Sequence, residues 1–300
     1  TGSGDDLLTN NSANTWNAFG VSDFGDGDDV INNTATGRIV MTNATIDLGT
    51  FDDAGVSTDG NEFTNAGLIE VVGDNTIDMG AGYGEYSVSN PNALVNSGHI
   101  DFTDSDGSTD DSLMVYGDFY SDGGELTVDI DGGAELSDML SISGDLTGTT
   151  VVNAILHSVP HGQESFAVQV VNVEGDQTGD IEVGDVTIAD DHLFDWDINR
   201  SWNLDSGDDN DGWLSLSIES LSDAGVTLTS IAPALQSMWQ QSIGTLAQRE
   251  GVNRHQDGNV GLWARGFNSS GDLDVDNSYD TQASIAMDVD GSEVGIDFAL

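Results

Sequence analysis

The sequence predicts an all-β protein: a right-handed parallel β-helix, or solenoid, with a β-rich capping module, one α-helix and truncated β-barrel strands. Three observations carry this. Short alternating segments closed by Gly, Asn or Asp return at spacings of 23 and 31 residues. Units of that size hold two or three short strands and cannot bury an apolar face alone, whereas stacked units can. Finally, no residue from Ala224 to Gln248 is charged, in a chain with 54 Asp and Glu.

Residues 1–119 read as the stacked repeats. Gly2-Ser3-Gly4-Asp5-Asp6-Leu7-Leu8-Thr9-Asn10-Asn11 returns as Gly25-Asp26-Gly27-Asp28-Asp29-Val30-Ile31-Asn32-Asn33, a shift of 23. A second theme runs Phe63-Thr-Asn65-Ala-Gly67-Leu-Ile69-Glu-Val71 and Leu94-Val-Asn96-Ser-Gly98-His-Ile100-Asp-Phe102, 31 residues apart. A third joins Asp111–Phe119 to Asp138–Leu146 if one residue of slippage is allowed at the Asp. Period-two alternation points Leu8, Ile31, Ile39, Phe63, Ile69, Val71, Leu94, Ile100 and Phe102 inward. Asn33, Asn65 and Asn96 fit either a hydrogen-bonded ladder at a corner or a plain turn role.

Residues 120–222 read as the capping module. Leu126-x-Val128-x-Ile130, Phe166-x-Val168-x-Val170 and Leu214-x-Leu216-x-Ile218 alternate over longer strands, and Trp196, Trp202 and Trp213 supply a large apolar cap. Residues 223–251 read as the helix. Leu235, Met238, Trp239, Ile243 and Leu246 recur at helical spacing, Ser230 before Pro233 is the expected N-cap, and Arg249-Glu250-Gly251 the stop. Residues 252–300 begin with Gly261-Leu262-Trp263-Ala264-Arg265-Gly266-Phe267, a strand. The chain opens inside a repeat without an initiator Met and reads as an excerpt from a longer protein.

Charge narrows the function. Five Arg and no Lys stand against 54 acids, a net charge of −49, which repels nucleic acid and anionic membrane surfaces. A saline habitat or calcium loading accounts for such acidity. Without cysteine there is no disulfide or thiolate site. No run of about 18 apolar residues is long enough for a membrane helix.

The motifs that carry chemistry are few. Gly2/Gly4/Asp6 and Gly25/Gly27/Asp29 share the Gly-x-Gly-x-Asp spacing of calcium-binding β-rolls. Those repeats recur every nine residues; here the copies are 23 apart, which favours an Asp-Gly turn. Asp129-x-Asp131-Gly132 and Asp288-x-Asp290-Gly291 lack the first Asp of an EF-hand loop and read as strand ends with a turn. His157 and His161 flank Pro160 and read as loop residues rather than metal ligands. No catalytic, cofactor-binding or metal-ligating residue is assigned, and no cofactor is expected, with calcium as the alternative.

The order of these elements resembles type Va autotransporters of Gram-negative bacteria. The Gly-Asp-Gly-Asp-Asp-Val-Ile-Asn-Asn and Asn-x-Gly-x-Ile repeats are similar to passenger rungs. Asp138–Asp145, Phe166–Val173 and the Trp196/Trp202/Trp213 strands resemble a pertactin-type junction that assists folding. Ala232–Arg249 resembles the linker helix, Leu262–Arg265 the first barrel strand and Ser292–Phe298 the second. Two departures stand out. No Asn-Asn pair of the kind some members cleave lies between Ala224 and Gln248, and two strands after Val260 cannot close a barrel of eight or more.

The resemblance implies a non-enzymatic, structural or adhesin-like passenger exposed at the cell surface, associated with the outer membrane through its barrel portion. Partners would be host or biofilm surfaces, with no nucleic acid and no small-molecule cofactor. The competing readings are a β-helical enzyme acting on polysaccharides and a calcium-loaded β-roll.

Overall fold

The computed structural model describes residues 2–11, 15–49, 60–80, 92–103, 107–159, 164–188, 193–202, 211–236, 239, 260–276 and 282–298. Most of the described residues are strand, and the strands of the repeats wind into a parallel β-solenoid of about five turns. Contacts divide the chain into two units, residues 1–190 with 197–217 and residues 191–196 with 218–300.

The first unit winds through three faces. On the first lie β2 (Leu7–Asn10), β5 (Val30–Asn33), β7 (Glu62–Asn65), β10 (Ala93–Asn96) and the starts of β13 (Asp118–Asp131) and β16 (Leu146–Ser158). The second carries the first parts of β3 (Thr15–Asp23) and β6 (Arg38–Asp47), then β8 (Leu68–Val72), β11 (His99–Asp101), the remainders of β13 and β16, and β18 (Asp180–Ile188). The third carries the ends of β3 and β6, β9 (Asp74–Asp78), β12 (Ser112–Tyr116), β15 (Met139–Ile142) and β17 (Ser165–Val173). Two short strands, β1 (Gly2–Ser3) and β4 (Gly25–Asp26), stack the first acidic turns in register, and β14 (Leu136–Ser137) folds back antiparallel on β13.

Register follows the repeats. Leu7 pairs with Val30 and Val30 with Glu62, while Asn33, Asn65 and Asn96 align in one column. Leu113 pairs with Leu140 and Val115 with Ile142, the shift of 27 that also relates Asp111 to Asp138, so the third theme needs no slippage. Ile31, Ile39, Phe63, Ile69, Leu94, Ile100 and Phe102 are fully buried and Val71 nearly so. Leu8, in β2, is half-exposed.

The corners are held by side chains. Nδ2 of Asn10 donates to Oδ1 of Asn33 at 2.9 Å, Asn33 to Asn65 at 2.7 Å and Asn65 to Asn96 at 2.8 Å. This is the ladder rather than the plain turn. Strand spacing of about 4.8 Å between turns matches the reach of one side-chain amide to the next. Gly67 sits against this column: a Cβ there would stand 2.4 Å from both Gly37 O and Thr34 O, so no other residue fits without moving backbone.

The parallel stack ends by changing direction. β20 (Gly212–Leu221) pairs antiparallel with β17, aligning Phe166 with Leu216 and Val168 with Leu214, all four buried. Its neighbour is β19 (Phe194–Trp202). Of the expected aromatic cap, Trp196 and Trp213 are half-buried and the side chain of Trp202 lies outside the described residues.

The second unit contains α1 (residues 223–236), the helix that precedes a two-stranded antiparallel hairpin, β21 (Val260–Asp276) with β22 (Gln282–Phe298). The helix begins earlier than the Ser230–Pro233 signal suggests. Ser222 is its N-cap, with Oγ accepting Gly225 N–H at 3.2 Å and its carbonyl accepting Val226 N–H at 2.8 Å. Ser230 lies inside the helix and donates back to Thr227 O at 2.7 Å. The expected stop at Arg249-Glu250-Gly251 lies outside the described residues.

Replacing Asn65 by Ala removes the acceptor of Asn33 and the donor to Asn96 in a column without water access. Asn65→Ala is expected to lower unfolding free energy by about 2 kcal/mol in urea titration; a loss of a few tenths would indicate a plain turn residue.

Candidate functional site

The solenoid offers two kinds of place where side chains could act: its outer corners and its buried polar corners. At the corner between the first and second faces, a shallow trough of about 510 Å3 crosses four turns. Gly37, Gly67, Gly98 and Gly123 contribute to its lining, as do Arg38, Leu68, His99 and Glu125, which occupy one register column. Arg38 and His99 are engaged by side chains beside the trough. Arg38 is gripped by both oxygens of Glu70, each 2.6 Å away. His99 Nε2 lies 2.7 Å from Thr127 Oγ1, which brings an imidazole against a hydroxyl. The neighbouring Asp101 accepts the Thr103 amide and hydroxyl at Oδ1, at 3.0 and 2.6 Å. Chemically this is a ridged contact surface on which Arg38 is already matched by a carboxylate.

The buried corners are acidic. Asp29, Asp111, Asp118, Asp129 and Asp138 are at most 3 % exposed. Asp138 is fully buried: Oδ1 accepts Asp111 N–H at 3.1 Å and Oδ2 accepts Asp129 N–H at 2.8 Å. Burial pushes its pKa up to about 8, against the lowering effect of those two amides, and the carboxylates of Asp111 and Asp129 add to the rise. Burial likewise raises Asp118 to about 6, opposed by the Asp145 N–H at 2.8 Å. Asp29 is raised by burial as well, with Asp5 and Asp6 adding repulsion. Asp131 moves the other way, lowered chiefly by the Ser158 hydroxyl.

The positions singled out in sequence separate clearly. Asp131 ends a strand and accepts Gly133 N–H at 2.9 Å and Ala134 N–H at 3.1 Å, a turn as expected. His157 is not in a loop: it occupies the extra position of a bulge in β16, and its Nε2 lies 2.7 Å from Asp129 Oδ1. A bulge re-aims one side chain out of the pleat, and here it turns His157 to the buried acid. His161 and Asp288 lie outside the described residues or have no described side chain. The Gly-x-Gly-x-Asp turns stack, with Gly4 N–H bonded to Asp26 O at 2.6 Å and Asp28 N–H to Asp5 Oδ1 at 3.1 Å. Among the described residues no group of three or more His, Asp or Glu side chains is placed to hold a metal ion.

In the second unit, Leu228, Ile231, Leu235 and Trp239 are 49 to 66 % exposed and recur at spacings of three, four and four, one stripe along the helix. On the hairpin, Ala264 aligns with Val294 and Leu262 with Ile296; Val294 and Ile296 are 80 % and 55 % exposed. No helix among the described residues is long and apolar enough to cross a membrane. Comparison with protein-family profiles, with curated proteins and with solved structures returned no match to this chain.

The buried acids give the fold an inverted pH dependence. A pKa raised in the fold means the folded chain holds the proton more tightly than the unfolded one. The contributions of Asp118 and Asp138 are therefore full below about pH 4 and lost as pH rises through about 6 and about 8. Between pH 5 and 8.5, Asp138→Asn is expected to gain on the wild type by roughly 4 kcal/mol in urea unfolding. Parallel pH curves for the two proteins would contradict this.

Proposed function

We propose that this chain is the carboxy-terminal part of an exported β-solenoid passenger joined to the first hairpin of an outer-membrane barrel, as in the type Va autotransporters it resembles. The observation that carries the reading is the hairpin. Its two strands of seventeen residues pair with each other and, among the described residues, with no further strand. A two-stranded hairpin is marginal in water, and its two edges are open to more strands. Continuation into a barrel would satisfy both edges and place exposed Val294 and Ile296 against lipid.

The helix supports the same reading. Its uncharged sequence and its exposed apolar stripe suit neither bulk water nor lipid, and an enclosing barrel wall would cover the stripe while polar groups met a wet lumen. The solenoid suits a non-enzymatic, adhesin-like passenger, because its outer surface is a repeated array of contact positions, with charges paired as in Arg38–Glu70. A net charge of −49 sets the partner class: uncharged or cationic material on a host or biofilm surface. The junction strands β17 and β20 close the parallel stack and would favour folding from that end during export.

Antibodies to the solenoid and to the 260–298 hairpin test this in the cells that make the protein. The solenoid is expected to be labelled and proteolysed on intact cells or found in the medium, while the hairpin fractionates with the outer membrane. A solenoid that becomes accessible only after lysis would overturn the reading.

A further inference from the structure

On the first face, each short parallel pairing is clamped at both ends. Ahead of the strand, a corner side chain accepts a backbone N–H from the turn before it: Asp29 from Asp6 at 2.7 Å, Asn61 from Asp29 at 2.9 Å and Asn92 from Asn61 at 2.9 Å. Behind the strand, the Asn column links 10 to 33, 33 to 65 and 65 to 96.

Between β10 and the start of β13 both clamps change. Asn92 reaches back to Asn61, whereas Asp118 reaches forward to Asp145 N–H, so the two side chains turn away from each other. Opposite Asn96 stands Ser121, and its hydroxyl goes forward to Thr149 O at 2.7 Å. Asn96 Nδ2 and Asp118 Oδ2 are both buried without a hydrogen-bond partner. The backbone bond from Asp118 N to Asn92 O lengthens to 3.4 Å, against 2.8 Å for Val30 to Asp6 and 2.9 Å for Glu62 to Asp29. Gly117 and Gly123, both with positive φ, flank the paired segment 118–121, and the register of β13 on β16 shifts beyond Asp122. The third corner stays clamped across the same step, with Asp111 N–H on Asp138 Oδ1.

We infer that this step is a hinge: the β10–β13 pairing on the first face opens as a unit while the Asp111–Asp138 corner holds. Opening hydrates two buried polar atoms that gain nothing in the closed state, against one, Asp29 Oδ2, on the turns before it, so it costs less here. Closure is restored by Leu94 and Phe119, paired in register and fully buried when shut. The solenoid would flex and begin to part at this step, independently of how the chain is exported.

Native-state hydrogen exchange on the whole chain tests this. Amides of 93–96 and 118–121 are expected to be about tenfold less protected than those of 62–65. Ser121→Asn offers Asn96 the acceptor it lacks, between Gly124 and Gly148. Asp118→Asn removes the buried charge with the residue type of the two preceding turns. Each is expected to raise protection at this step several-fold while leaving 62–65 unchanged. Equal protection along the first face of the wild type would overturn the hinge, and so would an unchanged step in both variants.

Discussion

The structure depends on a hydrogen bond between a corner side chain and its counterpart one turn away. A polar group at a solenoid corner is cut off from water by the turns above and below it. Its partner therefore has to come from those turns, at a spacing of about 4.8 Å. An Asn is both donor and acceptor, so Asn10, Asn33, Asn65 and Asn96 form a continuous chain from one amide to the next. Slipping one turn by a single residue would break the chain and also send every inward side chain to the surface. Polar ladder and apolar interior thus enforce the same register.

An ionised Asp can only accept, and this separates the acidic corners from the Asn column. Asp29, Asp111, Asp118 and Asp138 take backbone N–H groups of neighbouring turns instead of each other. Such a corner holds a backbone amide of the next turn yet still has a charge to shed. The chain places most of its negative charge on the outside, where water screens it, and a few carboxylates inside, where burial makes them hold protons. Where the sequence changes from Asn to Asp and Ser, at Asp118 and Ser121, the ladders lose continuity. Local stability is therefore written into the choice between amide, carboxylate and hydroxyl.

Much of this was legible in the sequence because repeat and period coincide. Alternation located Ile31, Phe63, Ile69, Leu94 and Phe102, and the shifts of 23 and 31 fixed which residues stack. The Asn column was visible as an alternative, since turn and ladder use the same residue and only the distance separates them. The strand position of His157 is not legible, because a bulge is a property of two strands together and nothing in His157-Ser-Val-Pro160 announces it. The helix from residue 223 is legible, but its cap is not Ser230: Pro233 makes Ser230 look like an N-cap, whereas Ser222-Asp223 carries the signal that caps the helix. The acidic corner around Asp138 was hidden by abundance: with 43 Asp in the chain, only three-dimensional burial distinguishes one.

The measurement that bears most directly on this account is hydrogen exchange of the side-chain amides, in a chain with 15N-labelled Asn. The Nδ2 protons of Asn33 and Asn65 are expected to be protected like core backbone amides, since each is donated to the next Asn inside the stack. Exchange of those protons at the rate of exposed Asn side chains would contradict the account.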